Sequence, residues 1–242
     1  MTAVILQARL DSSRLPAKAL LDLQGKTVLR RAMEALKAIP SAEAFFLATD
    51  PDSAPNLAPQ AEAEGFRLFA GSKENVLNRF AELIRAEGID RIIRATGDNP
   101  LVSPELAEET LAYQAEEAAD YAGLVGAPLG TGVEVVRAEA LLEADRKAED
   151  SYEREHVCPY LYRRPAKFTI RRRQVPDEFF YPAGRVTLDT LEDYRYIARI
   201  FDELYSGGPI RIGELVGWLK SRPARGEKSD EQDPGYPVGK TG

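Results

Sequence analysis

The stretch AVILQARLDSSRLPAKAL, residues 3–20, decides how the chain is read. Its opening, AVILQA, is a continuous apolar run of strand length, the pattern of a strand buried on both faces. The loop that follows carries Arg9, Arg14 and Lys18 against one acid, Asp11, with Ser12 among them. The chain as a whole is acidic, with 32 Lys and Arg against 39 Asp and Glu in 242 residues. A cationic loop at the end of the first strand of an acidic protein is suited to an anion. Guanidinium and ammonium groups neutralise its charge, while hydroxyl and backbone N–H groups satisfy its oxygens.

Working outward, residues 27–39 repeat apolar positions at Val28, Leu29, Ala32, Ala35, Leu36 and Ile39, which predicts an amphipathic helix. AFFLAT (44–49) reads as a second strand, a short helix ends at Gly65, and FRLFA (66–70) reads as a third strand. SKENVLNRFAELIRAEG (72–88) predicts a helix capped by Ser72, with Val76, Leu77, Phe80, Leu83 and Ile84 on one face and a stop at Gly88. RIIRAT (91–96) is a fourth strand. Strands alternating with helices of this length imply an α/β fold with a mostly parallel sheet, whose ligands bind beyond the carboxyl ends of the strands. The cationic loop and TGDNP (96–100) both fall at such ends. The second half is less regular. VEVV (133–136), KFTIRRR (167–173) and RVTLDT (185–190) read as strands, and residues 191–205 as an amphipathic helix; no internal repeat is found. After 212–221 the composition turns to Pro, Gly and charge without apolar periodicity, which predicts a disordered tail over 223–242.

Several function classes fall away. An acidic chain lacks the basic excess of a nucleic-acid binder. The first apolar run is too short for a signal peptide and no window approaches a membrane span, so a cytoplasmic protein with no membrane partner is expected. Cys158 and His156 are the sole residues of their kinds, so no intrachain disulfide or soft-metal site is expected and any metal must be held by oxygen. GYPVGKT (235–241) has three residues between its glycines where a phosphate-binding loop has four, GKT (25–27) follows Leu20 rather than the glycine that motif needs, and no dinucleotide fingerprint is present.

The N-terminal stretch resembles the signature of the spore coat polysaccharide biosynthesis cytidylyltransferases, relatives of the CMP-KDO and CMP-acylneuraminate synthetases. GSKENVLNRF (71–80), TGDNPLVSPE (96–105), GTGVEVVRAEAL (130–141), REHVCPYLY (154–162) and RVTLDTLEDY (185–194) resemble that family's later blocks in the same order. The resemblance implies a three-layer Rossmann-like nucleotide-diphospho-sugar transferase fold over a single nucleotidyltransferase domain, residues 1–222. It also implies CTP and a sugar or sugar acid as substrates, Mg²⁺ as cofactor, and transfer of CMP to a sugar hydroxyl with release of pyrophosphate. A homodimer is the expected assembly. The chain departs from the pattern at Asp11 and Ala17, where the signature has Gly, and at Asn99, where Cys is common.

Under the resemblance Asp98 and Asp189 hold the metal as hard carboxylate ligands, and Arg9 and Lys18 act on the phosphates with Ser12 and Arg14. Gly71, Ser72, Thr96 and Gly97 lie against the nucleotide, and Glu134, Arg154 and His156 near the sugar. The residues alone leave other readings open. Asp98 can be a turn former, Asp189 a helix cap, Ser72 a plain N-cap, Glu134 the end of an alternating strand and His156 a structural histidine. Two other functions are weighed: a glycosyltransferase using Asp50 and Asp52 of TDPD (49–52) as its metal motif, and a silent nucleotide-binding protein in which Asp11 misplaces the triphosphate. Pro51 favours a plain turn at TDPD.

Overall fold

A computed structural model describes residues 1–12 and 14–222; the tail expected over 223–242 lies outside the described residues. Strand β1 (Thr2–Gln7) leads through the cationic loop and a 3-10 turn, Lys18–Leu20, to a small hairpin, β2 (Asp22–Leu23) and β3 (Lys26–Thr27). Then come α1 (Val28–Lys37), β4 (Ala44–Thr49), α2 (Ala54–Ala63), β5 (Arg67–Ala70), α3 (Val76–Glu87) and β6 (Arg91–Thr96). The second half contains α4 (Pro104–Glu116), β7 (Tyr121–Val125), β8 (Glu134–Arg137), α5 (Ala138–Lys147), α6 (Ser151–His156) and α7 (Pro159–Tyr162). It closes with β9 (Ile170–Gln174), α8 (Leu191–Leu204) and α9 (Ile212–Lys220).

The main sheet has the order β5-β4-β1-β6-β8-β7-β9. Only the two pairings of β8 are antiparallel, so the sheet is mostly parallel. β1 is central, and Ala3, Val4, Ile5 and Leu6 have no exposed surface, which is why its sequence is a continuous apolar run. One apolar cluster packs α3, α5 and α7 on one face, and a second packs α1, α2 and α4 on the other, giving three layers. A third cluster joins α8 and α9 to Val175, Val186 and Leu188. The chain leaves β1 toward β4 and β5, then returns to lay β6 on the opposite side of β1. That reversal is a topological switch point, with Gln7 opposite both Ala48 and Thr96 so that the carboxyl ends finish level.

Three expectations need correction. The helix expected from Ser72 begins at Val76 under an Asn75 cap: Asn75 accepts from the Asn78 N–H, while Ser72 Oγ accepts from the Asn75 N–H and closes a separate turn. RVTLDT is not a strand; Arg185 makes one isolated bridge to Leu129, and Val186 and Leu188 alternate because they are buried in the third cluster. KFTIRRR pairs only from Ile170 onward. Helix α4 escaped the sequence reading because its buried face includes Thr110 and Gln114 beside Leu106 and Leu111, which blurs the apolar period.

Candidate active site

The site grows from the ends of β1 and β6. The Gly97 N–H donates to the Gln7 carbonyl at 2.8 Å. A Cβ at Gly97 would stand 2.8 Å from Ala8 Cβ and 2.9 Å from Leu29 Cδ1, so only glycine lets the turn approach this closely. Asn99 Nδ2 donates to Thr96 Oγ1 at 2.8 Å, and the turn so formed presents Asp98. The Asp98 carbonyl accepts from the Leu188 N–H at 2.9 Å, joining this turn to the segment before α8. There the helix cap is Thr190, not Asp189. Thr190 and Asp193 form a reciprocal capping box, and Asp193 also accepts from the Asp189 N–H at 3.0 Å. The cap holds the Asp189 backbone and leaves its carboxylate free to face the cationic loop.

Lys18 joins the two acids. Its Nζ lies 3.1 Å from Asp98 Oδ2, 3.0 Å from Asp189 Oδ1 and 2.5 Å from the Leu188 carbonyl oxygen. Arg14 reaches Asp189 Oδ1 at 3.1 Å and Arg185 reaches Oδ2 at 2.6 Å. Four residues singled out from the sequence, Arg14, Lys18, Asp98 and Asp189, thus form one ionic cluster. Ala17, immediately before Lys18, is left-handed, with φ 53° and ψ 24°.

Arg9 stands outside that cluster. It meets Asp11 at 3.3 Å and Glu155 at 3.7 Å, linking the loop to α6, while Lys73 also meets Asp11 at 3.3 Å. Asp11 is therefore neutralised from both sides. Ser12 is half-buried on the same loop. The Gly71 N–H donates to the Thr49 carbonyl at 3.0 Å, and a Cβ at Gly71 would stand 2.8 Å from Arg79 Cγ. Arg79 lies buried under this loop and donates to the Ser72 carbonyl at 3.1 Å. Burial holds its guanidinium below the ordinary value, against the pull of Asp50. Asp50 is itself buried and accepts from the Ser53 N–H at 2.9 Å and Oγ at 2.8 Å. Burial raises the Asp50 carboxyl, but these hydrogen bonds outweigh it and leave it below the usual range. Asp52 is exposed and pairs with Lys73 at 3.2 Å. TDPD is thus a turn whose two acids serve different partners.

The residues expected near the sugar fall into separate contacts. Glu134 accepts from Tyr121 Oη at 2.8 Å and pairs with Arg94, which also donates to Gln7 at 3.0 Å. Burial works against the Arg94 charge, but Glu134 outweighs it and holds the guanidinium above its ordinary value. Arg154 donates to the Ala148 carbonyl at 2.5 Å. His156 ends α6 with its ring 4.2 Å from that of Tyr152. Its pKa is lowered by burial and by Arg94, Arg9 and Arg163, against the opposite pull of Glu155. Val157 follows at φ 72°, ψ −62°, and the Cys158 N–H donates to the His156 carbonyl at 2.9 Å. This γ-turn at a β-branched residue stores on the order of 1–3 kcal/mol of strain.

Sequence reasoning missed Arg185, the Leu188 carbonyl, Arg79 and Arg94. The Arg185 to Asp189 spacing within RVTLD and the charge inside RIIRAT were available signals, but both acquire meaning only from tertiary partners. A cavity of about 710 Å³, lined by Met1, Arg91, Gln114 and Arg137 among others, lies at the amino ends of β1 and β6, the opposite end of these strands from the site. Among the described residues no three His, Cys, Asp or Glu side chains gather into a metal cage, so the hard oxygens here are Asp98, Asp189 and the Leu188 carbonyl. No helix among them is long and apolar enough to cross a membrane.

The family model for cytidylyltransferases matches residues 3–208. The spore coat polysaccharide biosynthesis protein SpsF of Bacillus subtilis (strain 168) is 34% identical over 226 residues, covering 90% of this chain and 94% of that protein. Among solved structures, a cytidylyltransferase from Leptospira borgpetersenii serovar Hardjo-bovis has a TM-score of 0.86 at 24% identity, covering 95% of this chain and 99% of the other. A CMP:2-keto-3-deoxy-manno-octonic acid synthetase complexed with CTP has a TM-score of 0.65 at 19% identity, covering 84% and 98%. The structural likenesses establish a shared fold, the expected α/β architecture. With a family match along most of its length and a relative this similar end to end, the chain belongs to the cytidylyltransferase family and is a nucleotidyltransferase.

Proposed function

We propose that this enzyme transfers CMP from CTP to a hydroxyl of a sugar or sugar acid, with release of pyrophosphate, for surface polysaccharide synthesis in the cytoplasm. The observation that carries the reading is the convergence of Lys18 and Arg14 with Asp98 and Asp189 at the switch point of the sheet. The names of the relatives, one for spore coat polysaccharide biosynthesis and one for a CMP-sugar-acid synthetase complexed with CTP, support the substrate classes. The described residues act as one nucleotidyltransferase domain.

The donor set fits Mg²⁺, because two carboxylates and a carbonyl within 3.1 Å of one cationic nitrogen are all hard oxygens. Asp98 and Asp189 would hold the ion, which when bound supplies neutralising charge to the triphosphate. Arg9, Ser12, Arg14 and Lys18 bind the phosphates, and Lys18 stabilises charge developing on the leaving pyrophosphate as the sugar oxygen attacks in line. Gly71 and Ser72, held from below by Arg79, face the nucleoside with Thr96 and Gly97. Arg154 and His156 line the sugar side. His156 is neutral at pH 7 because burial and the neighbouring arginines disfavour its charge, so it can accept a hydrogen bond from a sugar hydroxyl. Glu134 is engaged by Arg94 and Tyr121 and supports the sugar side through this largely buried network.

The other readings lose support. Asp50 has both oxygens engaged by Ser53, which leaves the glycosyltransferase motif without a metal pair. Asp11 is neutralised by Arg9 and Lys73, which removes the repulsion a silent protein would require. A homodimer is the proposed assembly, and light scattering checks it. For the activity, the purified protein is incubated with each of the four ribonucleoside triphosphates and a panel of sugars and sugar acids. Pyrophosphate release that depends on CTP and an added sugar is expected. Nucleoside diphosphate release from a nucleotide sugar, or CTP binding without turnover with any acceptor, contradicts the proposal.

A further inference from the structure

The oxygens assigned to the metal are the oxygens that hold Lys18. An ammonium donates three hydrogen bonds, and here all three go to Asp98 Oδ2, Asp189 Oδ1 and the Leu188 carbonyl. Mg²⁺ bound to both carboxylates at its usual distance of about 2.0–2.1 Å would fall within the space that Nζ fills. Two cations so close also repel strongly. Lys18 and a divalent ion are therefore alternative occupants of one oxygen cage. Asp189 is neutralised further by Arg14 on the same oxygen and by Arg185 on the other.

We propose that the site works by counter-ion exchange: the triphosphate draws Lys18 and Arg14 off the carboxylates, and the metal takes the place that Lys18 leaves. Both cations come from the phosphate loop, so the groups that bind nucleotide are the groups that block the metal. Arg14 is half-exposed and holds one carboxylate oxygen, whereas the Lys18 side chain is only 13% exposed and is held by three oxygens. Arg185 holds the second oxygen of Asp189 and is a positioning residue that keeps this carboxylate oriented through the exchange. Metal alone binds weakly because it must displace Lys18, and nucleotide and metal strengthen one another by the same factor. The inference rests on the assignment of Asp98 and Asp189 to the metal.

The test is titration of Mn²⁺ into nucleotide-free protein, read by electron paramagnetic resonance. Lys18→Met is expected to bind Mn²⁺ more tightly than the wild type by roughly 5- to 150-fold, the usual range of coupling between sites. Lys18→Arg, which keeps the charge, should bind like the wild type, and Asp98→Asn should lose this Mn²⁺ site. In the wild-type protein, Mn²⁺ should also raise the rate at which an amine-acylating reagent modifies Lys18, mapped by mass spectrometry against the other lysines. Equal or weaker Mn²⁺ binding by folded Lys18→Met overturns the exchange. So does an unchanged Lys18 acylation rate, a result that does not depend on any variant folding. Mn²⁺ binding that survives Asp98→Asn overturns the metal assignment and the exchange with it, whereas pyrophosphate release from CTP tests the proposed activity separately.

Discussion

Ala17 sits in the left-handed region directly before Lys18, where a side chain costs about 1–2 kcal/mol. The turn persists because its neighbours over-determine it: the Ala17 N–H donates to the Leu10 carbonyl at 3.2 Å and the Ala17 carbonyl accepts from the Leu20 N–H at 2.8 Å. Glycine would relieve the strain but lose about 0.5–1 kcal/mol through its greater freedom when unfolded. Ala17→Gly is therefore expected to raise stability by about 0–1.5 kcal/mol in urea denaturation. Ala17→Val should lower both stability and turnover, because a β-branched side chain fits this conformation worst. His156 gives a pH signature at the same scale. Its folded pKa is depressed, so between the ordinary histidine value near 6.5 and the lower folded value the unfolded chain binds more protons. Stability from this group is whole above about pH 6.5 and falls as pH drops through that window. Melting temperatures of the wild type and His156→Gln should converge as pH is lowered; a constant difference across the range would contradict the assignment.

At the scale of elements, the cap of α8 fixes the backbone that carries Asp189. Thr190 and Asp193 close the helix end, and Asp193 also fixes the Asp189 N–H. Thr190→Ala is expected to cost about 1 kcal/mol of stability, the usual value of an N-cap. It should also lower kcat/KM, because the backbone that carries Asp189 loosens; unchanged turnover at lower stability would separate the cap from the site. How legible the elements were follows from the same physics. Strands β1 and β4 could be read because burial leaves an almost uninterrupted apolar run, and Asp98 could be placed because TGDNP falls at the carboxyl end of β6. As residues Asp98 and Asp189 are each ambiguous and the resemblance puts both on the metal; the position of Asp189 is harder to read because RVTLD has the alternation of a strand and becomes a buried extended segment only through its packing on α8 and α9. Ser72 was misread because Asn75, three residues later, is an equally good cap and stands directly before the first buried residue, Val76.

For the molecule as a whole, the fold brings together groups that no local pattern relates. Asp98 follows β6 and Asp189 precedes α8, and the hydrogen bond from the Leu188 N–H to the Asp98 carbonyl holds their segments side by side. Lys18 arrives from a third segment. The ionic cluster is therefore a property of the topology, and its visible trace in the sequence was the cationic loop in an otherwise acidic chain. Asp50 and Asp52 belong to a different turn, so Asp50→Asn and Asp52→Asn should leave turnover nearly intact. The central claim is that Asp98 and Asp189 serve one catalytic unit, and the most direct measurement is sugar-dependent pyrophosphate release from CTP by Asp98→Asn, Asp189→Asn and the double variant. Each single variant should lose most turnover, by roughly two orders of magnitude or more, and require more metal, while the double variant should be scarcely worse than either, because residues acting as a unit are strongly non-additive. Multiplicative losses in the double variant, or activity that survives both changes, would contradict the account.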